Sequence, residues 1–365
     1  MLTVNAKELA QRQLKGCVIT TESGLKLYTP DGEGNYHALW TRDFYYMISD
    51  AGELLTLSDI RDCLEFLFSH ARESDGWMPD RVYPDGTTAY TAGGWDATGT
   101  PLPNLDNNDF AVLAAQRYVE LAPAEEGNAF LQKWIDALTR ALFAIPTDER
   151  GLVTNDPSNP HSPYGFTDCI CKTGELAMES LLHWQALRTA ARWGVKEAAG
   201  AADRLEKAFE ETFFTEDSPL LLAATVDCRQ SDIWASCFAL YTGFPLSERR
   251  ADALRTALAE HFDEYTQNGQ LLHTLPGQPW EKTFIDLPYG TYQNGAYWAT
   301  PVRWLVAALQ PKTPRLAEKA VSDALMDFSE RGCCECINGE YRKLENYVAS
   351  ATAVYAAEKM LNGRG

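Results

Sequence analysis

The sequence predicts an all-α fold: a single domain over residues 1–365, built as an (α/α)6 toroid of six helical hairpins. Three observations predict it. Apolar residues recur at helical spacing in about a dozen segments, while strand-like alternation is scarce. The connections alternate between short ones and long ones rich in Gly, Pro, Asn, Asp and aromatic residues. The helix starts that follow the long connections, at 41, 108, 171, 231, 296 and 346, lie about 50 to 65 residues apart, a repeat of topology rather than of sequence.

Taken in order, residues 1–30 read as a lead-in. They hold a weaker helix at 4–14 and the best strand candidate, Leu25-Lys26-Leu27-Tyr28. Thr41 is a fair N-cap for the first strong helix, 41–55, which a short link joins to 58–72. The second hairpin pairs 108–122 with 127–144, the third 171–193 with 197–213, and the fourth 231–242 with 246–263. The fifth pairs 296–309, apolar enough from Val302 to Leu309 to be buried, with 314–330; the sixth starts with 346–361. This order delivers the long loops to one end of a ring. Long ordered loops in a compact domain are usually functional, and rigid helices beneath them scaffold a site. The plain alternative is an irregular bundle whose loops only cap helices.

The totals narrow the partners. At 45% hydrophobic the chain can fill a large core, and a net charge of -19 disfavours nucleic acid and anionic membrane. No apolar run approaches the roughly 20 residues of a membrane span. Met1 to Glu8 lacks the basic and apolar regions of a signal peptide, so a cytoplasmic location is expected. Nine cysteines argue against a disulfide framework. Cys169 with Cys171, and Cys333 with Cys334 and Cys336, could together offer thiolates to zinc. Cys169 and Cys171 lack the two-residue gap of a zinc knuckle and no His lies in useful register, which favours ordinary buried thiols and no metal.

The loops carry the chemistry. Tyr292-Gln293-Asn294-Gly295-Ala296-Tyr297-Trp298 packs two amides and three aromatic rings around a Gly turn. Amides donate to and accept from sugar hydroxyls, and aromatic faces suit the C–H side of a pyranose. Trp40-Thr41-Arg42-Asp43 adds an indole, a planar fork for vicinal oxygens and a carboxylate; Asp43 would also favour the positive end of the helix dipole. Gly93-Gly94-Trp95-Asp96 exposes another indole beside a carboxylate, and Asn108 or Asp109 doubles as a helix cap. Asp168 follows Tyr164 and Phe166, apolar neighbours that raise a carboxyl pKa, although an N-cap role would lower it. Asp232 adjoins Trp234, and Glu340 and Glu345 precede the last helix. Glycosidic bond cleavage uses such parts, one carboxylic acid protonating the leaving oxygen and one carboxylate activating water or attacking the anomeric carbon. Asp168 and Glu345, on different loops, meet that requirement; Asp96, Asp232 and Glu340 are rivals.

These residues resemble the six-hairpin glycosidases, the group of glucoamylase, processing α-glucosidase, trehalase, glycogen-debranching enzyme and neutral invertase. Trp40-Thr41-Arg42-Asp43 is similar to the Trp-Thr-Arg-Asp of glucoamylases, which binds the non-reducing-end sugar. Tyr292 to Trp298 resembles the Tyr-x-Asn-Gly-x-x-Trp of debranching enzymes and invertases. Gly165-Phe166-Thr167-Asp168 resembles the segment of processing glucosidases that ends in the catalytic acid, and Glu345-Asn346-Tyr347 the Glu-x-Tyr where the base lies. The resemblance implies an inverting, exo-acting, α-glucosidase-like hydrolase without a cofactor. Asp168 would be its acid and Glu345 its base, with Trp40, Arg42, Asp43, Trp95, Asp96, Tyr292, Gln293, Asn294 and Trp298 around the substrate. The alternatives are an unsaturated uronyl hydrolase, which needs cations such as Arg42, Arg229 or Arg303; a sugar epimerase, which needs paired His such as His37 and His161; and a non-catalytic sugar-binding protein.

Overall fold

The computed structural model describes residues 4–92 and 100–363. Twelve long helices are among them: α1 (Ala6–Gly16), α2 (Thr41–Ala51), α3 (Leu57–Phe68), α4 (Asn107–Leu121), α5 (Ala124–Leu142), α6 (Ala177–Arg192), α7 (Lys196–Phe213), α8 (Ile233–Thr242), α9 (Glu248–Glu260), α10 (Val302–Leu309), α11 (Pro314–Arg331) and α12 (Val348–Leu361). The even-numbered helices form the inner ring. Each packs on the next, α2 on α4, α4 on α6, α6 on α8, α8 on α10, α10 on α12 and α12 back on α2. The toroid expected from the loop pattern is therefore present, closed and mainly helical.

Burial separates the two rings. In α2 every residue except Ser49 is buried, as a helix walled on both flanks and behind requires. The outer helices bury one stripe only. In α3 the stripe is Ile60, Cys63, Leu64, Leu67 and Phe68, the spacing of a single helical face. The N-terminal segment is more than a lead-in. α1 buries Ala6, Leu9, Ala10, Gln13 and Leu14 against α12, so the sixth hairpin is completed by the two ends of the chain.

Two inner helices, α6 and α10, start later than the apolar spacing suggests. Residues 171–176 and 296–301 are strand and turn rather than helix, because they pair in small sheets at the loop end of the ring. The smaller sheets are β1 (Val18–Thr20) with β2 (Lys26–Tyr28), β3 (Leu39–Trp40) with β4 (Arg81–Val82) and β5 (Thr88–Ala89), and β6 (Thr154–Asn155) with β7 (Gly174–Glu175). The largest sheet has the order β12-β11-β10-β9-β8. Its strands are β8 (Thr266–Gln267), β9 (Gln270–Leu271), β10 (Tyr297–Trp298), β11 (Cys334–Asn338) and β12 (Tyr341–Glu345). Strands β11 and β12 form a hairpin about Gly339 and Glu340, with Cys334 opposite Glu345 and Cys336 opposite Lys343. Among the described residues no helix is long and apolar enough to cross a membrane.

Candidate active site

At the loop end of the ring, a cavity of about 160 Å³ is enclosed by loops and strands from three sides. Strand β3 supplies Trp40, and the first turn of α2 supplies Arg42 and Asp43. The 3-10 turn Gly165–Thr167 brings Phe166, Asp168 and Cys169. Tyr292, Glu335 on β11 and Tyr347 close the third side.

Asp168 ends the 3-10 turn and is not the N-cap of the next helix, which starts at Ala177. Its carboxyl meets the cavity and is otherwise surrounded by protein, and that loss of water raises its pKa above the usual carboxylate range. Gln293 opposes part of the rise, since its Nε2 donates to Asp168 Oδ1 at 2.6 Å. The amide cannot turn over, because its Oε1 accepts from Cys169 N at 2.8 Å. Gln293 thus touches the carboxylate and fixes its orientation rather than facing a sugar.

The second carboxylate is Glu335, more deeply buried than Asp168 at only 2% exposed. Burial pushes its pKa up to about 7, against the pull of Lys343 and a hydrogen bond from Tyr36. Tyr36 OH donates to Glu335 Oε1 at 2.9 Å. Lys343 Nζ stands 3.6 Å from Oε2, which has no hydrogen-bond partner among the described residues, and 3.0 Å above the Tyr292 ring. Tyr36 is held by its own backbone, whose N–H donates to buried Asp31 at 2.8 Å. An ionisable group kept dry, with one oxygen held and the other free, is arranged to exchange a proton.

Arg42 and Asp43 are buried on the wall between them. Arg42 Nε donates to Asp106 Oδ2 at 2.8 Å and Nη2 to Asp80 Oδ1 at 3.1 Å, so most of its fork is already engaged by protein. Nη1 lies 3.9 Å from Asp43 Oδ2. Asp43 is pushed up to about 6 by burial, partly offset by Arg42 and by Tyr347 OH, which donates at 2.9 Å. Gly165 is obligatory beside this cluster: a Cβ there would stand 1.6 Å from Arg42 Cζ. Tyr292 adopts a left-handed backbone (φ 42), uncommon for an aromatic residue, and its carbonyl accepts from Trp298 Nε1 at 3.2 Å.

Of the residues expected from sequence, the structure gathers Trp40, Arg42, Asp43, Asp168 and Tyr292 around one cavity. It does not bring Glu345 there, and that expectation is corrected. Glu345 is exposed at the end of β12, close to Gly332, because left-handed Leu344 (φ 46) and Asn346 (φ 59) turn the chain on either side of it. Asn294 and Trp298 are buried in scaffold roles. Asn294 accepts from Trp280 N at 2.9 Å and donates to Leu287 O at 2.8 Å, and Trp298 is fully enclosed. Of the rival carboxylates, Asp232 caps α8 by accepting from Ala235 N at 2.8 Å, and Glu340 is exposed near Arg331. Trp95 and Asp96 lie outside the described residues. All nine cysteines are buried free thiols, and among the described residues no His, Cys, Asp and Glu cluster could hold a metal.

Sequence reasoning missed Glu335, Tyr36 and Tyr347. Glu335 was hidden inside the thiol-rich run Cys333-Cys334-Glu335-Cys336. The signal was there: Asn338-Gly339 between two strand-like runs marks a tight hairpin, which places a charged residue mid-strand among apolar ones.

A closed ring of six helical hairpins carries, at its loop end, a cavity lined by three carboxylates and a wall of aromatic rings. No known family profile matches the chain, nor does any curated protein. Solved structures do. One is the GH63 mannosylglycerate hydrolase from Thermus thermophilus in complex with Tris, at 16% identity and a TM-score of 0.70, covering 96% of this chain and 99% of that one. An uncharacterized conserved protein from the same organism matches at 14% identity and a TM-score of 0.67, covering 96% of this chain and 99% of that one. A rhamnosidase from Klebsiella oxytoca with rhamnose bound matches at 13% identity and a TM-score of 0.66; the match covers 96% of this chain and 62% of that one. The chain therefore has the (α/α)6 fold of these glycoside hydrolases.

Proposed function

We propose that this protein is an inverting glycoside hydrolase that releases one neutral, glucose-like sugar from the end of a small glycoside or oligosaccharide. The observation that carries the reading is Asp168 and Glu335 facing one cavity, each raised in pKa by burial. Asp168, protonated, gives its proton to the leaving oxygen as the bond to the anomeric carbon breaks. Water attacks that carbon from the other side and passes a proton to the free Oε2 of Glu335. The pair then resets when Glu335 returns a proton to solvent and Asp168 takes one up. Lys343 and Tyr36 favour the ionised form of Glu335 that this role needs.

A volume of about 160 Å³ falls below the roughly 300–1,000 Å³ of sites for drug-sized ligands, which suits a single ring and an exo mode. The rings of Trp40, Tyr36 and Phe166 offer apolar faces to that sugar. Neutrality is favoured by charge: three carboxylates line the cavity, and the cation among its described lining residues, Arg42, is already paired with Asp80 and Asp106. The same balance argues against a uronate substrate, and among the described residues no His lines the cavity to act as an epimerase base.

The test is a panel of α- and β-linked nitrophenyl glycosides and disaccharides with wild type and Asp168→Asn. NMR of the first-formed anomer then reads the stereochemistry. Release of a neutral monosaccharide with inverted configuration, lost in the variant, supports the reading. A retained anomer, or turnover only of unsaturated uronides, overturns it.

A further inference from the structure

A second cavity lies at the opposite end of the toroid. At about 630 Å³ it is much larger than the first, and all six inner helices contribute to its wall. Helix α2 links the two: Asp43 faces the first cavity, and Asp50, seven residues and roughly 10 Å further along the helix, faces the second. Five cationic and three acidic side chains line it, a local excess of positive charge in a chain of net charge -19.

Part of that excess has a structural task. Arg117 Nε donates to Ile48 O at 3.1 Å and Lys359 Nζ to Asp50 O at 2.9 Å, completing carbonyls at the C-terminal end of α2. Arg188 is held by Asp203 and Glu206. Two guanidinium groups keep unused donors. Arg303, 6% exposed, pairs with Asp50, donates from Nη1 and Nη2 to Ser49 Oγ at 3.3 and 3.2 Å and lies over the Tyr241 ring, while its Nε is buried with no partner among the described residues. Arg192 stands exposed at the end of α6, at the rim of the cavity, donates only to Thr189, and has no carboxylate within 4 Å among the described residues. Between them the wall carries hydrogen-bonding side chains without full use, including Gln185, whose Oε1 is buried and unpartnered among the described residues.

We propose that this cavity is a second ligand site, for a small polyhydroxylated compound bearing a phosphate or carboxylate oxyanion. A planar guanidinium suits either oxyanion, while the amides and hydroxyls suit a polyol. The volume lies within the range of small-molecule sites. The site stands independently of the chemistry at the other end of the ring.

Isothermal titration calorimetry on the full chain tests it, with glucose 6-phosphate, gluconate and glucose as probes. Saturable binding of either anion with Kd below about 1 mM is expected, with glucose at least about tenfold weaker. The anion that binds identifies the oxyanion. Arg192→Gln, a change at the rim that leaves the core intact, is expected to weaken binding about tenfold, while Glu335→Gln leaves it unchanged. The proposal is overturned if neither anion binds, if glucose binds as well, if Arg192→Gln has no effect, or if Glu335→Gln abolishes binding.

Discussion

Glu335 and Glu345 lie on the two strands of one hairpin, and the protein treats them in opposite ways. Glu335 is enclosed between Tyr36 and Lys343 and lines the cavity. Glu345, ten residues on, sits in solvent between two left-handed residues. An ionisable group is costly to bury, so its surroundings must be built to hold it, and Glu335 has such surroundings where Glu345 has none. The lesson is that the energetic cost of a carboxylate's position marks its role better than its place in a motif.

The largest expected effect falls on the partner carboxylate. Asp168→Asn lowers kcat by about 10²–10⁴-fold on any substrate the wild type cleaves, with circular dichroism unchanged. A variant as active as wild type would remove Asp168 from the pair. Next is the wall between the carboxylates. Gly165→Ala drives a methyl group into the buried Arg42 guanidinium and loosens it from Asp106 and Asp80, costing about 3–5 kcal/mol in thermal or urea unfolding. An unperturbed melting curve would mean that Arg42 has room to move.

Lys343→Met sharpens the contrast between the two glutamates directly. Lys343 holds the Glu335 pKa down, so its loss lifts that pKa further above about 7. The acid limb of the kcat/KM profile then moves to higher pH while activity well above that limb stays close to wild type. An unmoved limb would detach Glu335 from the reaction. The smallest effect is on stability. The folded-state pKa of Glu335 is raised from 4.5 to about 7, so the stability it confers is present below pH 4.5 and lost as pH rises through 7. Glu335→Gln removes that loss: Tm rises by a few degrees at alkaline pH and changes little at acid pH. A lower Tm at alkaline pH would show that the ionised carboxylate is well satisfied without a ligand.

The fold was largely legible because helical spacing and the alternation of short and long connections are sequence properties. The partnership of α1 with α12 was not, since it joins the two ends of the chain and leaves no local signal. Residues 296–301 share the apolar character of the helix they precede, whereas 171–176 are mostly polar with left-handed Gly174; in both segments strand pairing adds to the local breakers Gly174 and Pro301 in delaying the helix. Trp40, Arg42, Asp43, Asp168 and Tyr292, singled out by residue chemistry next to turns, line one cavity. Gln293 was found for the wrong contact: it serves Asp168 rather than a sugar hydroxyl. Glu335 escaped because its strand is buried at four consecutive positions, Cys334 to Ile337, so no two-residue alternation marks which of its side chains face the cavity.

In the proposed reaction Glu335, not Glu345, is the partner of Asp168. The most direct test is kcat/KM for Glu335→Gln and Glu345→Gln side by side on one cleaved glycoside at the pH optimum. A loss of about 10²-fold or more is expected for Glu335→Gln and less than about twofold for Glu345→Gln. The reverse order would contradict this pairing and return the second carboxylate to the exposed end of the hairpin.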